Sequence, residues 1–178
     1  MKRNLLTITL TLITLLFYTS KSFAVDGYKN ITFGMTANQV LSNNICSFKK
    51  QNPVVEGADF YLCGDFDFNG QQIEGGFFTI NGKFQRFYFS VPVDSALAVI
   101  NSLVSKYGQP SSRSTQEEFE TVDRLPNKKA FYGFDNDTVY FQIHSQADMS
   151  QLAIVIYTNP NYDRLLAEAA SEKISDLF

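Results

Sequence analysis

Gly76-Phe77-Phe78-Thr79-Ile80-Asn81-Gly82-Lys83-Phe84-Gln85-Arg86-Phe87-Tyr88-Phe89 reads as two strands joined by a two-residue turn. Aromatic and β-branched residues suit a pleated surface, and Asn-Gly accepts the positive φ that a type I′ hairpin needs at both central positions. A second Asn-Gly, Asn69-Gly70, stands just upstream. Before it lies Phe60-Tyr61-Leu62-Cys63-Gly64-Asp65-Phe66-Asp67-Phe68, whose period-two alternation predicts a strand with Phe60, Leu62, Phe66 and Phe68 on one face. Three antiparallel strands follow from these turns.

Upstream, Thr36 and Gln39 have capping-box spacing and Met35 with Val40 can form a hydrophobic staple, so a short helix is expected over about 37–44. Residues 51–57, with Pro53 and Gly57, read as loop. Downstream, Asp94 or Ser95 can cap a helix with Leu97, Ile100, Val104 and Tyr107 along one side, ended by Gly108 and Pro110. Residues 113–122 read as a polar edge strand. The runs 129–134, 138–145 and 151–158 are strands, with Val139, Phe141 and Ile143 alternating and then Leu152, Ile154 and Ile156. Asn159-Pro160 breaks the sheet, and Leu166, Ala169, Ala170, Ile174 and Leu177 mark an amphipathic helix over 162–178. The expected fold is α+β: an antiparallel sheet built from two tandem helix-plus-β-meander modules, about 31–91 and 94–158, with the helices on one face and a C-terminal helix.

The chain opens on Met1-Lys2-Arg3, continues with an apolar run from Leu5 to Phe17, and reaches Ser22-Phe23-Ala24, the layout of a signal peptide cleaved after Ala24. The apolar run is shorter than the ~20 residues that cross a bilayer, so no membrane span is expected after cleavage. The 178 residues less 24 leave 154, one domain. The leader carries Lys2, Arg3 and Lys21. Removing these three from the 15 Lys and Arg leaves 12 against 18 Asp and Glu, a net charge of −6. Such a balance argues against nucleic acid as a partner. The expected location is periplasmic or secreted. In that oxidising compartment Cys46 and Cys63, 17 positions apart, most simply form one disulfide, the alternative being two buried free thiols; catalytic redox use would favour a C-x-x-C spacing, which is missing.

Gly34-Met35-Thr36-Ala37-Asn38-Gln39-Val40 resembles the opening of the SmpA/OmlA-type small lipoprotein subunit of the outer-membrane barrel assembly machine, in which hairpin strands follow the first helix. The tandem helix-plus-sheet arrangement also resembles the β-lactamase inhibitor proteins. Both resemblances imply an extracytoplasmic role in binding another protein, and neither implies a catalytic residue. The chain departs from the first family in its greater length and in having no cysteine at the cleavage point.

Candidate chemistry is sparse. His144 is the one histidine, which excludes a His-rich metal site and leaves any Ser or Cys nucleophile dependent on a single base. Asp65-Phe66-Asp67-Phe68-Asn69-Gly70 matches the first half of a calcium loop, but Gly76 stands where the bidentate Glu is needed. Glu117, Glu118, Glu120 and Asp123 form an acidic cluster on what reads as a solvated edge. No catalytic residue, metal site or cofactor is therefore assigned. Aromatic content is the distinctive feature: 17 Phe and 9 Tyr, with no Trp. If the Asn81-Gly82 turn pairs Ile80 with Lys83 and Phe78 with Gln85, then Phe78, Phe87 and Phe89 share a face with Lys83 and Gln85. A mixed aromatic and polar face of this kind suits a protein partner. The reading is a non-enzymatic binding protein acting in envelope assembly or as an inhibitor of another envelope or secreted protein. The alternatives are a carrier of a small apolar ligand and a hydrolase with an unrecognised site.

Overall fold

A computed structural model describes residues 24–175, with side chains in the last helix up to 172; residues 1–23, and with them nearly all of the expected signal peptide, lie outside the described residues. The fold is α+β with a large antiparallel sheet. A small hairpin, β1 (Gly27–Tyr28) with β2 (Ile31–Thr32), leads into helix α1 (Ala37–Leu41). Strands β3 (Lys49–Gln51), β4 (Ala58–Phe68), β5 (Gln71–Ile80) and β6 (Lys83–Val91) follow. Helix α2 (Ala96–Tyr107), strand β7 (Ser112–Arg113) and helix α3 (Gln116–Arg124) come next. The chain closes with β8 (Lys129–Phe134), β9 (Val139–Ser145), β10 (Gln151–Thr158) and helix α4 (Tyr162–Ser175).

The eight strands run in the order β3-β4-β5-β6-β10-β9-β8-β7. Two meanders thus meet where β6 pairs with β10, Phe89 opposite Val155 and Phe87 opposite Tyr157. Both Asn-Gly turns form as expected, with φ of 52° and 83° at Asn69 and Gly70 and of 50° and 70° at Asn81 and Gly82. The capping box also forms: Gln39 N–H donates to Thr36 Oγ1 at 3.3 Å, and Thr36 N–H donates to Gln39 Oε1 at 2.8 Å. The helix stops at Leu41 rather than near residue 44, in a turn where Asn43 N–H bonds Val40 O and Asn44 takes φ 52°.

One face of the sheet holds the main core. Phe66, Phe77, Phe84, Phe87, Phe134 and Phe141 are almost wholly buried there, together with Val40 of α1 and Leu103 of α2. Tyr28 of the β1–β2 hairpin stacks on Phe87 at 4.5 Å and meets Tyr157 at 4.9 Å. Phe119 of α3 stacks on Tyr132 of β8 at 4.8 Å, so α3 covers the far end of the same face.

Two bulges decide which residues reach that face. In β4 the register slips between Cys63 and Phe66, opposite Gly75 and Ile73. One extra residue reverses the alternation. Phe66 therefore joins Cys63 in the core, whereas Phe60 lies on the other face and stacks on Phe78 at 4.8 Å, contrary to the expected common face for Phe60, Leu62, Phe66 and Phe68. The second bulge, in β6, is described with the site.

Three further expectations are corrected. The segment 113–122 is not an edge strand: only Ser112–Arg113 pairs with β8, and Thr115 with Glu118 builds a second capping box that starts α3. Leu97 is 69% exposed, and α2 instead turns Leu103, Val99, Ile100, Val104 and Tyr107 toward the core. The helices do not all share one face. Helix α4 packs on the opposite side, where Tyr162 and Ala169 meet Ala58 and Ile80, with Phe78, Leu165 and Leu166 around them. Leu166, Ala169 and Ala170 lie where α4 approaches the sheet: a Cβ at Gly57 would come within 3.0 Å of Ala170 N and 3.1 Å of Leu166 O. Ile174 and Leu177 of the expected stripe lie outside the described side chains.

Cys46 and Cys63 are bonded, with Cα atoms 6.1 Å apart across 17 positions. The bond fastens the segment after α1 to β4. Asp65 steadies the same corner by accepting Ser47 N–H at 2.9 Å, and those bonds hold its carboxyl below the usual range.

Candidate functional site

The expected docking residues do not share a face. Ile80 pairs with Lys83 as the turn requires, but Thr79 then pairs with Phe84 and Phe78 with Arg86, leaving Gln85 as the extra residue of a bulge. Phe87 and Phe89 are consequently core residues, 0% and 7% exposed, on the helix-covered face. Phe78 points the other way and packs beneath α4, its ring 6.5 Å from that of Tyr162. Gln85 is buried at the bulge, bonded through Oε1 to Asn159 Nδ2 at 2.8 Å. Lys83 is exposed beside the turn. The group Phe78, Phe87, Phe89, Lys83 and Gln85 is therefore dispersed among core, helix interface, bulge and solvent.

The registers assemble a different surface on the side away from α1, α2 and α3. Cross-strand neighbours there form one row through Leu62, Gly76, Tyr88, Ile156 and Tyr140. A second row runs through Ser90, Ile154, Gln142 and Phe131, and a third through Leu152, His144 and Lys129. Helix α4 covers only the end near Phe78 and Ile80. Tyr88, Ile154, Ile156, Tyr140 and Phe131 are half-buried, and Leu152 is 36% exposed. Solvent-facing strand positions usually carry polar residues in such alternation, so the large apolar side chains along these rows form a real patch.

Local contacts hold these side chains in place. Gly76 leaves room for rings: a Cβ there would lie 2.4 Å from Tyr88 and 3.0 Å from Phe60. Tyr88 donates its hydroxyl to Glu74 at 3.0 Å, and burial followed by the Glu74 charge pushes its ionisation far above the ordinary tyrosine range. Tyr140 meets Phe131 edge-on at 5.9 Å. Arg86, at the α4 boundary, lies 3.5 Å from the Tyr162 ring centre and bonds Thr158 Oγ1 at 3.1 Å. This cation–π contact ties α4 to the sheet.

The residues weighed as catalytic or metal-binding candidates sit as follows. His144 Nε2 lies 3.1 Å from Gln142 Oε1, and burial together with the charge of Lys129 lowers its pKa. Within the acidic cluster, Glu118 closes the α3 capping box, Glu120 pairs with Arg124 at 3.1 Å, and Asp123 accepts from Gln151 at 2.9 Å. A cleft of about 660 Å³ lies between α3 and the sheet, lined partly by Glu120, Asp123, Phe119 and Tyr132. In the half calcium loop, Asp67 accepts Gly70 N–H at 2.8 Å inside the turn while Asp65 bonds Ser47, so the two carboxylates serve different partners. Cys46, Cys63 and Asp65 come within 4.8 Å of one another, but the two sulfurs are bonded together and offer no thiolate. Among the described residues no helix is long and apolar enough to cross a membrane.

These features define an antiparallel α+β protein with one helix-covered sheet face and one largely open, aromatic face. The chain belongs to a family described as "Uncharacterised protein", whose model matches residues 28–176. An uncharacterized protein of Haemophilus influenzae (strain ATCC 51907 / DSM 11121 / KW20 / Rd) is 28% identical over 168 residues, which cover 94% of this chain and 95% of that protein. No solved structure matches.

Proposed function

We propose that this is an exported, non-enzymatic protein-binding module that docks an envelope or secreted partner on the open face of its sheet, as an assembly factor or as an inhibitor. The observation that carries the reading is the continuous set of aromatic and aliphatic side chains, half-buried Tyr88, Ile156, Tyr140, Ile154 and Phe131 with exposed Leu152, on a face that α4 leaves largely uncovered. Aromatic and aliphatic anchors with Gln142 and His144 among them, and Glu74 and Lys129 toward the edges, have the mixed composition of a protein interface. Export is supported by the leader pattern of residues 1–24 and by the Cys46–Cys63 bond.

Photo-crosslinking tests this reading. A photoreactive residue at position 154 or 131 should capture one partner in the envelope fraction, and the same residue at position 97, on the exposed side of α2, should capture none. Equal capture from all three positions, or from position 97 alone, would exclude the open face. Capture of a second copy of the chain would turn the proposal toward self-assembly.

A second reading, carriage of a small apolar ligand, rests on a groove of about 390 Å³ between α2 and the sheet, lined by Phe68, Phe89, Val99, Leu103 and Val155 with Lys106 at its edge. Native mass spectrometry of protein purified from its producing cells should then show a bound mass that Leu103→Phe abolishes.

A further inference from the structure

Residue 25 meets a carboxylate from a distant turn. Val25 N–H donates to Asp135 Oδ2 at 2.5 Å across 110 positions, and the Val25 side chain packs on the main core. Ala24, one residue earlier, is exposed. The next residues are committed to the fold: Asp26 O accepts Phe33 N–H at 2.7 Å, and Gly27 sits so close to the returning strand that a Cβ would meet Ile31 O.

Asp135 is held in an unusual turn. Asp135, Asn136 and Asp137 all take positive φ, 52°, 53° and 63°, between β8 and β9. Left-handed backbone at three successive non-glycine residues costs free energy and persists only where surrounding bonds fix it. Here Thr138 Oγ1 donates to Asp135 Oδ2 at 2.9 Å, and Ser111 and Ser112 donate to Asp137 Oδ1 at 2.6 and 2.7 Å. The turn thus presents a fixed carboxylate to residue 25.

We propose that cleavage after Ala24 turns this amide contact into an ion pair, the new Val25 α-ammonium seated on the Asp135 carboxylate, so that removal of the leader completes the N-terminal anchor of the fold. The step is hydrolysis of the Ala24–Val25 peptide bond. Water adds its hydroxyl to the Ala24 carbonyl carbon and its hydrogen to the Val25 nitrogen as the C–N bond breaks, and the proton of the new carboxylic acid passes to the amine, leaving carboxylate and ammonium. Two further carboxylates adjoin this pair in sequence, Asp26 beside Val25 and Asp137 in the turn that holds Asp135. An ammonium has three donors where the amide has one, and its hydrogen bonds to carboxylate are about twice as strong as neutral ones. The inference rests on the export reading above.

The experiment uses the full chain exported by a bacterial host under its own leader. Intact mass first locates the N-terminus, and amine-specific labelling across pH then titrates the α-amine. We expect a chain starting at Val25 whose α-amine titrates about one unit above the ~7.7–8.0 of exposed termini. Asp135→Asn, which keeps an acceptor oxygen for Val25 and Thr138 but removes the charge, should return it to that range. A pKa raised on folding stabilises fully below the unfolded value and is lost as pH rises through the folded one, so the melting-temperature difference between wild type and Asp135→Asn should vanish above about pH 9. A Val25 terminus with an ordinary titration in the wild type overturns the ion pair and leaves export standing. A terminus elsewhere overturns both.

Discussion

Phe87→Ala separates the observed register from the one that the hairpin alone suggests. Without the bulge at Gln85, Phe87 would share a half-exposed face with Phe78, and its loss would cost little. In the structure its ring is fully buried, stacked on Tyr28 at 4.5 Å and within 5.5, 6.1 and 6.4 Å of Phe66, Phe89 and Phe48. Truncating a buried Phe removes its transfer free energy and leaves a cavity among rings that cannot all collapse, a loss of about 3–5 kcal/mol. For a domain of this size each kcal/mol lowers the melting temperature by about 2–4 °C, so the oxidised variant should melt about 6–20 °C below wild type. Circular dichroism melts of Phe87→Ala and of Ile154→Ala, on the open face, provide the comparison. Ile154→Ala should cost about 1 kcal/mol or less. If the two variants melt together, or the order reverses, the bulge and the division of faces built on it are wrong.

Other outcomes follow from the same contacts. Thiol labelling of the denatured, unreduced protein should find no free cysteine, and replacing Cys46 and Cys63 by Ser should lower stability by about 3 kcal/mol in chemical denaturation. Tyr162→Ala removes the ring beneath Arg86 and against Phe78, so amides of α4 should lose hydrogen-exchange protection while those of β6 and β10 keep theirs. The His144 pKa is lowered by burial and Lys129, so the unfolded chain binds the proton more readily than the folded one. Stability should therefore fall as pH drops below about 6.5, and His144→Asn should flatten that slope in urea titrations at pH 5 and 7.5.

Much of this fold is written locally. Asn69-Gly70 and Asn81-Gly82 specify their turns because few other residues accept positive φ at both positions, and Thr36 with Gln39 marks a helix start by reciprocal bonds. The equivalent signal at Thr115 and Glu118 was equally present, yet the polar run after Arg113 reads more readily as an exposed strand than as a helix with only Phe119 and Val122 turned inward. Bulges are harder to read. Nothing near Gly64-Asp65 or Gln85 states that an extra residue enters the strand there, and each insertion moves every later side chain to the other face. That is why the docking surface placed at Phe78, Phe87 and Phe89 dissolved. The open face depends on which strands become neighbours: β6 ends at Val91 and β10 begins only at Gln151, and only their pairing sets Tyr88 beside Ile156 and Ile154 beside Ser90. The seat of α4 depends on the same pairing.

Partner affinity of the double variant Leu152→Glu, Ile154→Glu tests the central claim most directly. Both side chains lie on the open face, outside the main core, so the variant should melt within a few degrees of wild type. Binding of the crosslinked partner, measured by isothermal calorimetry on the oxidised protein, should weaken at least about 30-fold, the loss of one central anchor worth ~2 kcal/mol. Unchanged affinity in a variant that melts like wild type would contradict the account and move the docking site off this face.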